Sequence, residues 1–361
     1  MDTSIWPLTL ASIENFVLLN GALSVLAFGV AAGARMMARS RSWHPLSISR
    51  LYAAALVIPP LASAWLVIGS LLPALWLGSN GWLEEHQRPH TLHLINALTA
   101  SFDPALGYAA VLFMLAAAAL VIYVAAGAYF RINRVVRCLE LGAEPAPAGK
   151  IEQVELSCRR HGIDVGLVVS SYPFSFVWGH LRSKLVISTG LLNALTAEEL
   201  SALLEHEAAH HARRDNLLKW MLTVCRYCSP VFPLTGLLYR WWGEQVEMVC
   251  DEVAAMRTNA PAEVAGALVR LKRLTVPVLP RGTRLAESGF FGERGHSFER
   301  RVMRILSFGD QAMRNEAELL SRSWVRAALL TGGAFALTLV AFFLVSPLAI
   351  HRVLEAILHI L

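Results

Sequence analysis

The sequence predicts a mainly α membrane protein: four transmembrane helices plus one α+β domain with a small β-sheet. Three observations predict it. Only 16% of the 361 residues are charged and 55% are hydrophobic, where an ordinary soluble domain is about a quarter charged. The missing charge leaves four uncharged runs, 15–34, 51–83, 104–130 and 327–350, of 20, 33, 27 and 24 residues. Between the third and fourth runs, residues 131–326 hold 26 of the 32 basic and 21 of the 27 acidic side chains.

Roughly 20 apolar residues cross a bilayer core. The spans are therefore expected at about 15–34, 51–77, 105–130 and 327–350. Helices of a soluble core average about a dozen residues and do not explain runs of this length. Asp2 and Glu14 stand before the first run in place of a basic n-region, so it is read as a span and not as a cleaved signal. Arg35, Arg39, Arg41 and Arg50 follow the first run with no acid among them, and Arg131, Arg134 and Arg137 follow the third. The loop after the second carries Glu84, Glu85 and Asp103 against one Arg88. The positive-inside rule then places the N-terminus outside and the 131–326 domain in the cytoplasm, with 351–361 a short extracytoplasmic tail.

The net charge of +5 falls wholly on the 131–326 domain, which suits a neighbour of an anionic inner leaflet. No basic stripe interleaved with aromatics supports nucleic-acid binding. Five cysteines in a reducing compartment predict no disulfide framework. Cys225 and Cys228 form a lone C-x-x-C without the second pair that a zinc knuckle needs, and are read as core cysteines.

Within the domain, the third span should continue as helix to about Leu141, ahead of a stiff linker at 143–149. A helix at about 150–161 then leads to strands at 164–170, 174–178 and 183–188, from β-branched and aromatic enrichment. Thr196-Ala197-Glu198-Glu199 is a capping box. Leu200, Leu203 and Leu204 set an apolar helical face behind it, and the helix runs on through His210 towards Arg214. Residues 217–242 are rich in Leu, Trp and Tyr but interrupted by Pro230 and Pro233. Trp220, Tyr239, Trp241 and Trp242 suit either membrane-interface anchors or a buried helical pair. Residues 281–299 read as a loop before a helix at about 299–307.

His206-Glu207-Ala208-Ala209-His210 is an H-E-x-x-H motif on that capped helix. Histidines at i and i+4 face the same way and can reach one metal ion, with Glu207 offset beside its open position. Zinc lowers the pKa of bound water to about 7, and a neighbouring carboxylate can take the proton. Glu247 and Asp251, 37 and 41 residues beyond His210, share one helix face. One could ligate while the other fixes a histidine tautomer. On chemistry alone Glu244 and Glu252 compete as third ligand.

The run His-Glu-Ala-Ala-His-His-Ala-Arg-Arg-Asp-Asn at 206–216, with Glu-x-x-x-Asp-x-x-Ala at 247–254, resembles the BlaR/MecR-type membrane zinc metallopeptidases. These are integral-membrane gluzincins, distantly similar to HtpX and CAAX-prenyl proteases. The stretches 173–179 and 191–200 and the order of spans and domain extend the likeness. The resemblance implies a gluzincin-type protease domain in a bacterial-type cytoplasmic membrane. It implies one Zn2+ held by His206, His210 and Glu247, with Glu207 as general base, Asp251 supporting the ligands and Asp215 closing the histidine helix beside a nearby arginine. An edge strand, 174–178 or 183–188, would hold substrate by β-augmentation, as in related proteases.

The implied substrate is a regulatory protein such as a BlaI-like repressor, and the chain itself through 281–299. An HtpX-like quality-control protease and a non-catalytic signalling scaffold are the alternatives, and self-association into a homo-oligomer stays open. The family's sensors carry a penicillin-binding domain after the last span, whereas this sequence stops at Leu361. No lysine (150, 184, 219, 272) has a serine three residues earlier, so direct β-lactam binding is not expected.

Overall fold

The computed structural model describes residues 5–40, 43–79, 104–138, 146–171, 173–178, 184–274 and 295–307. The fourth span expected at 327–350, the tail at 351–361 and most of the 281–299 loop lie outside them.

Three long helices come first: α1 (Ile5–Ser40), α2 (Pro45–Ser79) and α3 (Pro104–Cys138). Within them Ser12–Ala38, Pro45–Trp65 and Gly107–Val124 are long and apolar enough to cross a membrane. Leu26, Leu112 and Ile122 stand about two-thirds exposed on these helices. Water would penalise such surfaces and a lipid phase accepts them. The chain divides into two compact units, one made of 1–24, 58–116 and 322–361, the other of 25–57 and 117–321. The second unit contains the α+β domain together with the adjoining ends of α1 and α2.

In that unit α4 (Ala148–His161) starts two residues earlier than the sequence predicts, shortening the linker. It stops at Gly162, whose φ of 67° lets its amide satisfy the last carbonyls without a Cβ penalty. Strands β1 (Asp164–Val168), β2 (Ser175–Trp178) and β3 (Lys184–Ser188) follow, each within its expected range. The sheet order is β1-β3-β2. β3 pairs parallel with β1 and antiparallel with β2, with Phe176 opposite Val186. β3 is thus central and its backbone is engaged on both sides.

Short α5 (Thr189–Ala194) is capped by the Ser188 hydroxyl, which accepts from the Leu191 amide. Gly190 is required there, because a Cβ would lie 2.3 Å from the Ser171 carbonyl oxygen. The capping box then forms as expected: Thr196 Oγ1 accepts from Glu199 N at 3.1 Å and Glu199 Oε2 from Thr196 N at 2.9 Å. It opens α6 (Ala197–Arg213), which ends on Arg214 in the left-handed region. Leu200, Leu203 and Leu204 bury their face against Leu185, Ile187, Leu268, Leu271 and Ile305.

The segment at 217–242 is a helical pair: α7 (Asp215–Cys228) turns at 229–231 into α8 (Phe232–Thr258). Pro230 sits in the turn and Pro233 in the first turn of α8, where a missing amide hydrogen costs nothing. Trp242 is buried within the domain. Trp241 packs on Phe28 of α1 and Tyr52 of α2, under the Arg35 guanidinium. Tyr239 packs in turn on Trp242, with ring centroids 5.7 Å apart, so at least three of the four aromatics meet protein. Cys225 and Cys228 are only partly buried on α7, whereas Cys158 and Cys250 are fully buried among the described residues. Helices α9 (Pro261–Leu274) and α10 (Gly295–Leu306) complete the described residues, α10 beginning four residues before its expected start.

Candidate metal centre

The capped start and apolar face of α6 press its third turn into the interior, so His206, Glu207 and His210 are all buried. The two Nε2 atoms converge to 3.1 Å. Glu247 on α8 joins them, with Oε2 3.5 Å from His206 Nε2 and Oε1 3.5 Å from His210 Nε2. The three ligand-type atoms lie within 4.8 Å of one another.

Each histidine is tethered by its other nitrogen. His206 Nδ1 lies 3.0 Å from Asp251 Oδ1. His210 Nδ1 lies 2.9 Å from Asp215 Oδ2, and Arg213 Nε donates to the same carboxylate at 3.2 Å. The left-handed Arg214 makes this second tether local, turning the chain so that Asp215 opens α7 beside the end of α6. The nearby arginine expected for Asp215 is thus Arg213. The rivals of Glu247 are engaged elsewhere: Glu244 pairs with Arg35 and Arg300, and Glu252 with His44 and Arg304.

In the tautomer that turns each Nδ1–H to its neighbouring carboxylate, both Nε2 atoms present lone pairs. Together with Glu247 they make three acceptors facing one another, which suits a cation and not a hydrogen-bond donor. The donor set fits a metal ion. Both oxygens of Glu207 are buried beside it with no hydrogen-bond partner among the described residues. Burial pushes this carboxyl up; His206 and His210 oppose the rise and Glu247 adds to it. Burial also works against ionised Asp251 and Asp215. Arg301 outweighs it at the first and Arg213 at the second, holding both below the ordinary carboxylate range.

Residues 87–277, more than half of the chain, match the family described as BlaR1 peptidase M56. The chain belongs to the M56 peptidase family. No curated protein matches it. Membership makes it a membrane-associated metallopeptidase that acts on protein. The matched segment of this M56 peptidase contains both helices that build the site, but neither α1, α2 nor α10.

Sequence reasoning missed three participants. Cys250 Sγ lies 3.4 Å from His210 Nδ1 and 3.7 Å from Asp215 Oδ2, forming a second metal-competent group that shares His210. Lys219 lies one turn beyond Asp215 on α7. Burial would depress its ammonium, but Glu247, Tyr239, Asp215 and Glu207 outweigh that and raise it. Its i+4 spacing from Asp215 was the available signal. Arg301 donates to Asp251 from α10, 50 residues further along the chain, with no local signal that marks it.

Proposed function

We propose that this M56 peptidase is a zinc-dependent endopeptidase whose site faces the cytoplasm, and that its substrates are a transcriptional repressor of the BlaI type, the chain itself, or both. The observation that carries the chemistry is the convergence of His206 Nε2, His210 Nε2 and a Glu247 oxygen within 4.8 Å, with unpartnered Glu207 beside them. Two imidazoles and one carboxylate with an open position are the ligand pattern of catalytic zinc. When bound, the ion polarises the scissile carbonyl and acidifies water at the site.

The chain's own groups do the rest. Glu207 Oε takes the proton of the attacking water and delivers it to the departing amide nitrogen, so one carboxylate serves as base and then as acid. Its buried setting raises its proton affinity, which suits a group that must both accept and release. Asp251 and Asp215 hold the two imidazoles in the tautomer that turns Nε2 inward. Of the two candidate strands β3 is paired on both sides, so β2, an edge of the described sheet as β1 is, is the one that could receive an extended substrate; Asn216 Nδ2 already donates to Val177 O of β2 at 3.0 Å and fixes the strand to the start of α7.

Arg35 on Glu244 and His44 on Glu252 support the cytoplasmic placement. They put the α1–α2 connection, rich in arginine, on the same side as the catalytic helices, as the positive-inside rule asks. Glu207→Gln is the test. Cleavage should fall by about 10²- to 10⁴-fold while zinc stays bound, and the proteins that accumulate in that strain would name the substrate. Full function in the variant would sink the peptidase reading in favour of a scaffold, and accumulation of misfolded membrane proteins would favour quality control.

A further inference from the structure

Helix α10 lies beyond the matched residues 87–277, yet it sends one side chain to the centre. Arg301 is only 1% exposed. A guanidinium buried that deeply costs several kcal/mol unless it is fully paired. Its Nε and Nη2 donate to Asp251 Oδ2 and Oδ1 at 2.6 and 2.8 Å, a two-point fork, and Nη1 lies 3.6 Å from Glu247 Oε2. Asp251 Oδ1 is in turn 3.0 Å from His206 Nδ1. A continuous line of charge-assisted contacts therefore runs from α10 through α8 to the histidine helix.

The neighbours of Arg301 are paired as well. Arg300 Nη2 lies 3.2 Å from Glu244 Oε2, and Arg304 Nε lies 2.5 Å from Glu252 Oε1. Glu244 and Glu252 flank Glu247 and Asp251 along α8, so Arg301 lies between these two outer pairs. A planar fork also fixes the plane of the carboxylate it grips, which a single ammonium cannot do.

We propose that Arg301 is a positioning residue of the metal centre. It orients Asp251 and, through Asp251, the ring of His206, so that a helix outside the matched segment completes the site. This rests on reading His206, His210 and Glu247 as the metal ligands.

The test measures zinc affinity of the full chain in detergent by competition with a chromophoric chelator. Wild type should bind one zinc ion. R301K, which keeps the charge but loses the fork, should bind about 10- to 100-fold more weakly, whereas R304A on the same helix should stay within about twofold of wild type. If Arg301 acts through Asp251, R301Q/D251N should bind zinc no more weakly than D251N alone. That double variant removes both buried charges together, so it also serves if R301K fails to fold. Wild-type affinity in R301K, a loss in R304A equal to that in R301K, or summed losses in the double variant would overturn the inference and leave the metal site standing. Wild type that takes up no zinc would overturn the site reading itself.

Discussion

Helices α6 and α10 both bring positive or potentially positive groups to the same two carboxylates of α8, and they bring different kinds. From α6 come imidazoles, whose lone pairs can take a metal ion and whose charge depends on what they hold. From α10 comes a guanidinium, which is always charged and offers donors only. Glu247 and Asp251 thus sit between a side that changes state and a side that does not. The division suggests that replacements facing α6 should act on metal and catalysis, and that replacements at the flanks of α8 should act on stability.

The largest expected effect separates two of the three glutamates of α8 that chemistry alone left in competition. Glu247→Ala removes an oxygen from the histidine pair and should lower zinc affinity by more than about 100-fold, because losing a direct ligand exceeds the loss of a supporting one. Glu252→Gln, five residues on, should keep its zinc, since its oxygens face His44 and Arg304. Metal content by atomic absorption checks both. Retained zinc in the first variant and lost zinc in the second would reverse the assignment. Asp251→Asn comes next, with zinc affinity down by about 10- to 100-fold as the His206 ring loses its tether.

Much of the α6 side was legible in the sequence because its determinants are local. Thr196 and Glu199 are three residues apart, Leu200 to Leu204 one turn, and His206 to His210 one turn more. The α10 side was not legible, because Arg301 and Asp251 are 50 residues apart and a buried arginine is spelled like a solvated one. The α7–α8 pair falls between. Its aromatics looked equally suited to lipid or protein; the burial of Trp242 and the packing of Trp241 on Phe28 and Tyr52 are contacts between residues far apart in the chain, which no local pattern encodes. Strand ranges came within a residue or two at each end, but which strand is central depended on pairing that no single strand encodes.

A smaller effect tests the flanks. Glu252 is 2% exposed, and its partners His44 and Arg304 are themselves half-buried. Replacing both partners with alanine leaves a buried carboxylate uncompensated. The expected cost is about 1–3 kcal/mol, discounted from the 3–5 of a fully buried pair because water reaches the vacated positions. Thermal unfolding should show the loss while zinc content is unchanged. A loss of zinc without a loss of stability would mean that the α1–α2 connection acts on the centre and not on the fold.

The smallest effect concerns a thiol that packs behind the histidine helix. Cys158 on α4 is 2% exposed, in the cluster that also holds Leu200 and Leu204. Burial, and after it the negative charge of Glu207, pushes its pKa to about 11. At pH 8 only about one molecule in a thousand then carries the thiolate, against roughly a quarter for a free cysteine. Alkylation of Cys158 in the folded chain should therefore be at least about 100-fold slower than in urea, and should climb about tenfold per pH unit while the fold survives. Peptide mass spectrometry after timed iodoacetamide treatment reads it residue by residue. Since Glu207 contributes to the shift, Glu207→Gln should speed the labelling slightly, and burial should still keep it slow. Fast labelling of Cys158 at pH 8 in both forms would mean that α4 does not seal the back of α6.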